Sequence, residues 1–144
     1  MENRHLVFVY GTLRKQERNH KLLKNAVCVE NGCWTEGKLF DSHHGYPFLV
    51  QSTEGKVVGE LYLVDDANLS DLDRLEEYHG VGKNNLYDRV EQLIQTDNGN
   101  YQAVVYVLPD KSNSKNMQLI ENGDWCQYRV LKQRAKNIKP NKMA

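Results

Sequence analysis

The chain has 144 residues, 40% of them hydrophobic and 26% charged. That is enough for one domain with its own core, and it excludes an intrinsically disordered composition. Nineteen basic residues balance nineteen acidic ones, so the chain lacks the positive surplus that draws proteins to nucleic acid, and no nucleic-acid partner is expected. Three cysteines make no complete disulfide framework, and the apolar run at residues 6–9 is too short for a signal segment or a membrane span. A cytoplasmic protein with reduced thiols and no membrane partner is expected.

Leu6-Val7-Phe8-Val9-Tyr10 is apolar, rich in β-branched and aromatic residues, and stops at Gly11. It predicts a strand buried on both faces. Gly11 can take backbone angles closed to other residues, and a turn at Tyr10-Gly11-Thr12-Leu13 can aim successive N–H groups into a concavity, a small anion site. An ordinary strand-ending turn fits the same spacing. Asn19 is placed to cap a short helix through Leu22 and Leu23. Residues 34–40 and 57–64 read as strands, with a loop over residues 41–47 marked by Gly45 and Pro47. Gly59 inside the second of these strands marks a bulge or a close backbone approach.

A helix capped by Asp66 or Asn68 is expected to run to about Glu77. Residues 90–96 and 101–108 predict a hairpin through Asp97-Asn98-Gly99-Asn100. A second helix is expected over residues 125–135, followed by a flexible basic tail at 136–144. From Arg129 to the end, the charged residues Arg129, Lys132, Arg134, Lys136, Lys139 and Lys142 include no acid, and they read as a solvated helix end and tail. Many strands and few helices, without regular alternation, imply a single α+β domain of residues 1–135. A small mixed β-barrel or strongly curved sheet with a few flanking helices is expected.

The first helix carries a chemical signal. Leu69, Leu72 and Leu75 cover one arc of about 120° at 100° per residue. Glu76, four residues after Leu72 and seven after Leu69, falls inside that arc, whereas Asp71, Arg74 and Glu77 fall outside it. A helix that persists to Glu76 therefore points one carboxylate at the core. Burial disfavours the charged form and raises the pKa, which suits a group that must act first as base and then as acid. Two structural readings compete: a helix that frays before Glu76, and a glutamate paired with a core arginine, for which Arg89 is available.

Other constellations are weaker. Cys28, Cys33, His43 and His44 are not spaced as zinc ligands, because the histidines are adjacent. Thr12 has no base implied beside it to make it a nucleophile. His79 lies near Glu76 and is either a second acid/base or a surface loop residue.

Taken together, Val9-Tyr10-Gly11-Thr12-Leu13-Arg14, Gly59-Glu60-Leu61-Tyr62, Leu72-Asp73-Arg74-Leu75-Glu76, Tyr87-Asp88-Arg89, Tyr106-Val107 and Gly123-Asp124-Trp125 resemble, in order, the motifs of γ-glutamylcyclotransferase-like proteins. The resemblance covers roughly residues 6–128. It implies a mixed barrel with a ligand cavity at one end, and an enzyme that cyclises a γ-glutamyl group to 5-oxoproline with release of an amine or amino acid. It implies Glu76 as the catalytic acid/base and a small-molecule γ-glutamyl substrate held by Tyr10, Gly11, Thr12, Leu13, Tyr87, Arg89 and Tyr106, with no metal or cofactor. The alternative is a non-catalytic small-molecule binding protein on the same fold. Two departures stand out: Glu77 occupies a position where the family usually has glycine, and the segment 77–86 is longer than usual.

Overall fold

The computed structural model describes residues 3–137. Its elements are β1 (Arg4–Val9), a 3₁₀ turn (His20–Leu23), β2 (Val27–Glu36), β3 (Lys38–Asp41), β4 (Pro47–Val50), β5 (Lys56–Asp65), α1 (Asp66–Leu75), β6 (Asp88–Thr96), β7 (Gly99–Val107), β8 (Gln118–Ile120) and α2 (Trp125–Asn137). Five strands close a barrel in the order β1-β5-β2-β6-β7, and β4-β3-β8 form a second sheet. Every barrel pair is antiparallel except β1 with β7, whose parallel contact at Val7 and Val104 closes the ring. Among the described residues, no helix is long and apolar enough to cross a membrane.

The strand β1 is apolar on both faces because it divides two cores. Phe8 and Tyr10 join a cluster with Leu61, Ile94, Val105 and Trp125. Val7 and Val9 join another with Leu69 and Leu72 of α1, Phe48, Tyr87 and Tyr106. Alternate side chains of a strand point to opposite faces, so one strand serves both cores and ends between them at the Tyr10–Leu13 turn.

Several elements differ from the sequence reading. The strand expected at 34–40 is two strands, broken at Gly37, where φ is +151°. The first of them, β2, begins at Val27, and its register with β5 slips between Cys28 and Glu30 and again between Glu30 and Cys33. Those irregularities erase the period-2 alternation that makes a strand legible. The cap of α1 is Asp65, whose carboxylate accepts from the Asn68 N–H at 2.7 Å. Asn19 does not cap the 3₁₀ turn with its side chain; its amide donates to Thr12 Oγ1 instead. The helix α2 continues through Asn137, so residues 136 and 137 of the expected tail are helical, and 138–144 lie outside the described residues. Two of its basic side chains are ion-paired, Arg129 with Glu17 at 2.7 Å and Lys132 with Asp41 of β3 at 3.1 Å.

Candidate active site

The turn after β1 has both of its ends tied. The Arg14 N–H donates to the Gly11 carbonyl at 3.1 Å, and the Asn19 N–H donates to the Thr12 carbonyl at 2.9 Å. The N–H groups of Gly11, Thr12 and Leu13 find no protein acceptor among the described residues. Gly11 is required here for space and not, as its sequence context suggested, for an unusual φ. A Cβ at Gly11 would sit 2.8 Å from Pro47 Cγ, so the first residue of β4 packs directly on the turn. Gly59 serves the same purpose one strand over, where an added Cβ would collide with the Val9 carbonyl oxygen; the glycine marks a close approach.

Beside the turn lies a cavity of about 380 Å³. Its walls include Tyr10, Gly11, Thr12 and Leu13, then Glu76 and Glu77 at the end of α1, and Tyr87 and Tyr106 from the strand region opposite. The sequence reading brought all of these to notice, Glu77 as a departure from the family pattern. It missed Arg18, Asn19, Tyr46 and Pro47, which also line the cavity. Their place depends on how the 14–19 segment and β4 fold back over the turn, and no local pattern signals that.

The helix ends one residue before Glu76, yet Glu76 keeps the helical register: its N–H still donates to the Leu72 carbonyl at 2.9 Å. The chain then reverses. Glu77 has φ +53°, the Glu77 N–H donates to the Arg74 carbonyl at 3.3 Å, and the Tyr78 N–H donates to the Asp73 carbonyl at 2.9 Å. This is a Schellman closure, in which the left-handed position is usually glycine. The Glu76 side chain is half-buried, and among the described residues its carboxyl has neither a hydrogen-bond partner nor an ion pair. Burial alone pushes its pKa up to about 8.

The three tyrosines commit their protons to the protein. The Tyr10 hydroxyl donates to the Tyr106 carbonyl at 2.6 Å and accepts from the Leu49 N–H at 3.1 Å. The Tyr87 hydroxyl donates to the Pro47 carbonyl at 2.6 Å, and the Tyr106 hydroxyl donates to Asp73 Oδ1 at 2.7 Å. Burial raises all three pKa values, so these phenols stay protonated near neutrality. A hydroxyl has one proton and two lone pairs; with the proton engaged elsewhere, each tyrosine can offer a ligand only an acceptor. The Gly11–Leu13 turn offers donors. The cavity lining thus combines backbone donors at the turn with tyrosine acceptors, beside Arg18, Asn19 and Glu76.

Arg89 does not line the cavity, contrary to expectation, nor does it pair with Glu76. Its guanidinium meets Asp73 Oδ2 at 2.6 Å and lies 4.8 Å from the centre of the Tyr78 ring. Asp73 precedes Glu76 by three residues and is close enough to β6 to take the cation first. His79 is exposed, its backbone N–H bound to Asn85 Oδ1 at 2.6 Å, and it is not part of the cavity wall.

Residues 7–127 match the family described as gamma-glutamyl cyclotransferase, AIG2-like. Over 125 residues the chain is 38% identical to the gamma-L-glutamyl-butirosin B gamma-glutamyl cyclotransferase of Niallia circulans, covering 86% of this chain and 77% of that one. The crystal structure of YkqA from Bacillus subtilis is similar with a TM-score of 0.75 at 30% identity; the match covers 92% of this chain and 43% of that one. An AIG2-like protein from Mus musculus is similar with a TM-score of 0.69 at 26% identity, covering 85% of this chain and 88% of that one.

Proposed function

The chain belongs to the AIG2-like gamma-glutamyl cyclotransferase family, and on that premise we propose that it cyclises a γ-glutamyl amide to 5-oxoproline with Glu76 as acid/base. The observation that carries this reading is the Glu76 carboxyl: it lines the cavity, lacks a partner among the described residues and has a pKa raised to about 8. Its two protonation states are close in energy near neutral pH, as a group that takes and returns a proton requires.

The substrate supplies both nucleophile and electrophile. Its α-amino nitrogen attacks its own γ-carbonyl carbon, a five-membered ring closes, and the bond to the outer amide nitrogen breaks. Glu76 takes a proton from the attacking nitrogen and delivers one to the departing nitrogen, so no water is consumed and no cofactor is needed. Holding the substrate folded for this attack contributes roughly 7–11 kcal/mol toward the barrier. The free N–H groups of Gly11, Thr12 and Leu13 suit the α-carboxylate or the developing oxyanion. The Tyr10, Tyr87 and Tyr106 oxygens suit groups that donate. The expected setting is the cytoplasm, where thiols remain reduced.

A relative is named for gamma-L-glutamyl-butirosin B, so the test panel extends beyond γ-glutamyl amino acids and glutathione to γ-glutamyl amines. Mass-spectrometric detection of 5-oxoproline with the wild-type protein, and its loss with Glu76→Gln, is the expected result. A panel that yields no 5-oxoproline overturns the reaction and leaves a binding protein on this fold.

A further inference from the structure

Asp73 lies outside the cavity wall, yet it holds a residue that belongs to it. One carboxylate oxygen receives the Arg89 guanidinium at 2.6 Å and the other receives the Tyr106 hydroxyl at 2.7 Å. A carboxylate bound by arginine is ionised and only accepts. The single Tyr106 proton is thereby engaged by Asp73, so toward a ligand in the cavity that Tyr106 lines its oxygen can only accept. We propose that Asp73 is a positioning residue that fixes Tyr106 as the acceptor for an N–H of the substrate's α-amino group, so that this nitrogen presents its lone pair to the γ-carbonyl.

The placement supports that role. Asp73 and Glu76 sit three residues apart at the end of α1, so one element carries both the acid/base and the group that sets Tyr106. The Glu76 charge also contributes to the raised pKa of Tyr106, which places the two groups in one electrostatic neighbourhood. An amine that gives one proton to Glu76 and one hydrogen bond to Tyr106 has its remaining orientation determined. The inference rests on the cyclisation reading and adds to it the direction of one hydrogen bond.

That direction gives a test that a purely structural clamp between α1 and β6 fails. In Asp73→Asn the amide oxygen must face Arg89, because its NH₂ group would meet a donor there. The NH₂ then faces Tyr106, which has to accept from it and turn its own proton into the cavity, against the amine. In Tyr106→Phe the acceptor is lost but no opposing donor is created. The expected fall in kcat/KM is about tenfold for Tyr106→Phe and about a hundredfold for Asp73→Asn, since a buried mismatch costs more than a missing bond. The double variant should recover to the Tyr106→Phe level.

A double variant no more active than Asp73→Asn overturns the proposal while leaving the reaction intact; a wild type that forms no 5-oxoproline overturns both. If Asp73→Asn fails to fold, inhibition by a substrate analogue lacking the α-amino group decides. Wild type should bind the amino-bearing compound more tightly than the analogue, and Tyr106→Phe should reduce that preference by about tenfold. An unchanged preference in Tyr106→Phe counts against the proposal.

Discussion

Two glutamates flank the Tyr10–Leu13 turn, and their surroundings separate a structural carboxylate from a chemical one. Glu60 on β5 is 4% exposed, more deeply buried than Glu76. It accepts from Arg14 Nε at 2.9 Å, from the Lys15 N–H at 2.9 Å and from the Tyr62 hydroxyl at 3.0 Å, while Arg14 also reaches Asp124 at 3.0 Å. Those donors replace the water that burial removed. Glu76 lines the cavity beside the turn with no such donors among the described residues, and burial acts on it unopposed. Depth alone would have chosen Glu60. What marks a group that can exchange a proton near neutrality is burial without compensation, facing a cavity.

The strongest test of this contrast is to neutralise each carboxylate. Glu76→Gln is expected to lower kcat by about 10²–10⁴-fold, with the melting temperature maintained or raised. Glu60→Gln is expected to lower stability by about 3 kcal/mol in denaturant titrations, because it leaves Arg14 short of its buried partner. Its kcat should fall far less than that of Glu76→Gln. If folded Glu60→Gln were as inactive as Glu76→Gln, the division of roles between the two would be wrong.

A pH series sharpens the contrast. The Glu76 carboxyl moves from an ordinary 4.5 to about 8 on folding, so the folded state binds more protons than the unfolded chain between those values. Stability from this group is full below about 4.5, declines as pH rises, and levels off above about 8. The loss is expected to be at most about 5 kcal/mol, seen as a falling melting temperature that Glu76→Gln flattens. In kcat/KM, the acidic limb should have its midpoint at about 8, since the base must be ionised to start the reaction.

The smallest expected effect concerns the next residue. Glu77 sits at φ +53°, which costs a side-chain-bearing residue about 1 kcal/mol relative to glycine. Glu77→Gly should therefore raise stability by about that amount in the same titrations. A destabilised Glu77→Gly would mean that the Glu77 side chain makes up for its backbone strain through contacts in the folded state.

Legibility in the sequence followed distance along the chain. The apolar run of β1, the hairpin of β6 and β7, and the register of α1, which the Glu76 N–H still keeps, are local signals, and each appears in the structure. The same local logic failed at β2, whose bulges break the alternation, and at the short strands β4 and β8, which carry too few residues to show a period. It identified Gly11 but not the reason for it, because Pro47 lies 36 positions away and reaches the turn only when β4 folds over it.

Arg89 illustrates the larger limit. A cation available to Glu76 was readable, but whether it would meet Glu76, a substrate or Asp73 depends on distances across α1 and β6. The sequence by itself determined the helical register that Glu76 keeps and which turn follows the buried strand, since helix pitch and strand burial are set within a few residues. Only the tertiary structure decided that Glu76 goes unpartnered among the described residues, that three tyrosines give their protons to acceptors within the protein, and that Asp73 claims Arg89. Those outcomes are competitions among groups far apart in the chain, and their winners are settled when the barrel closes.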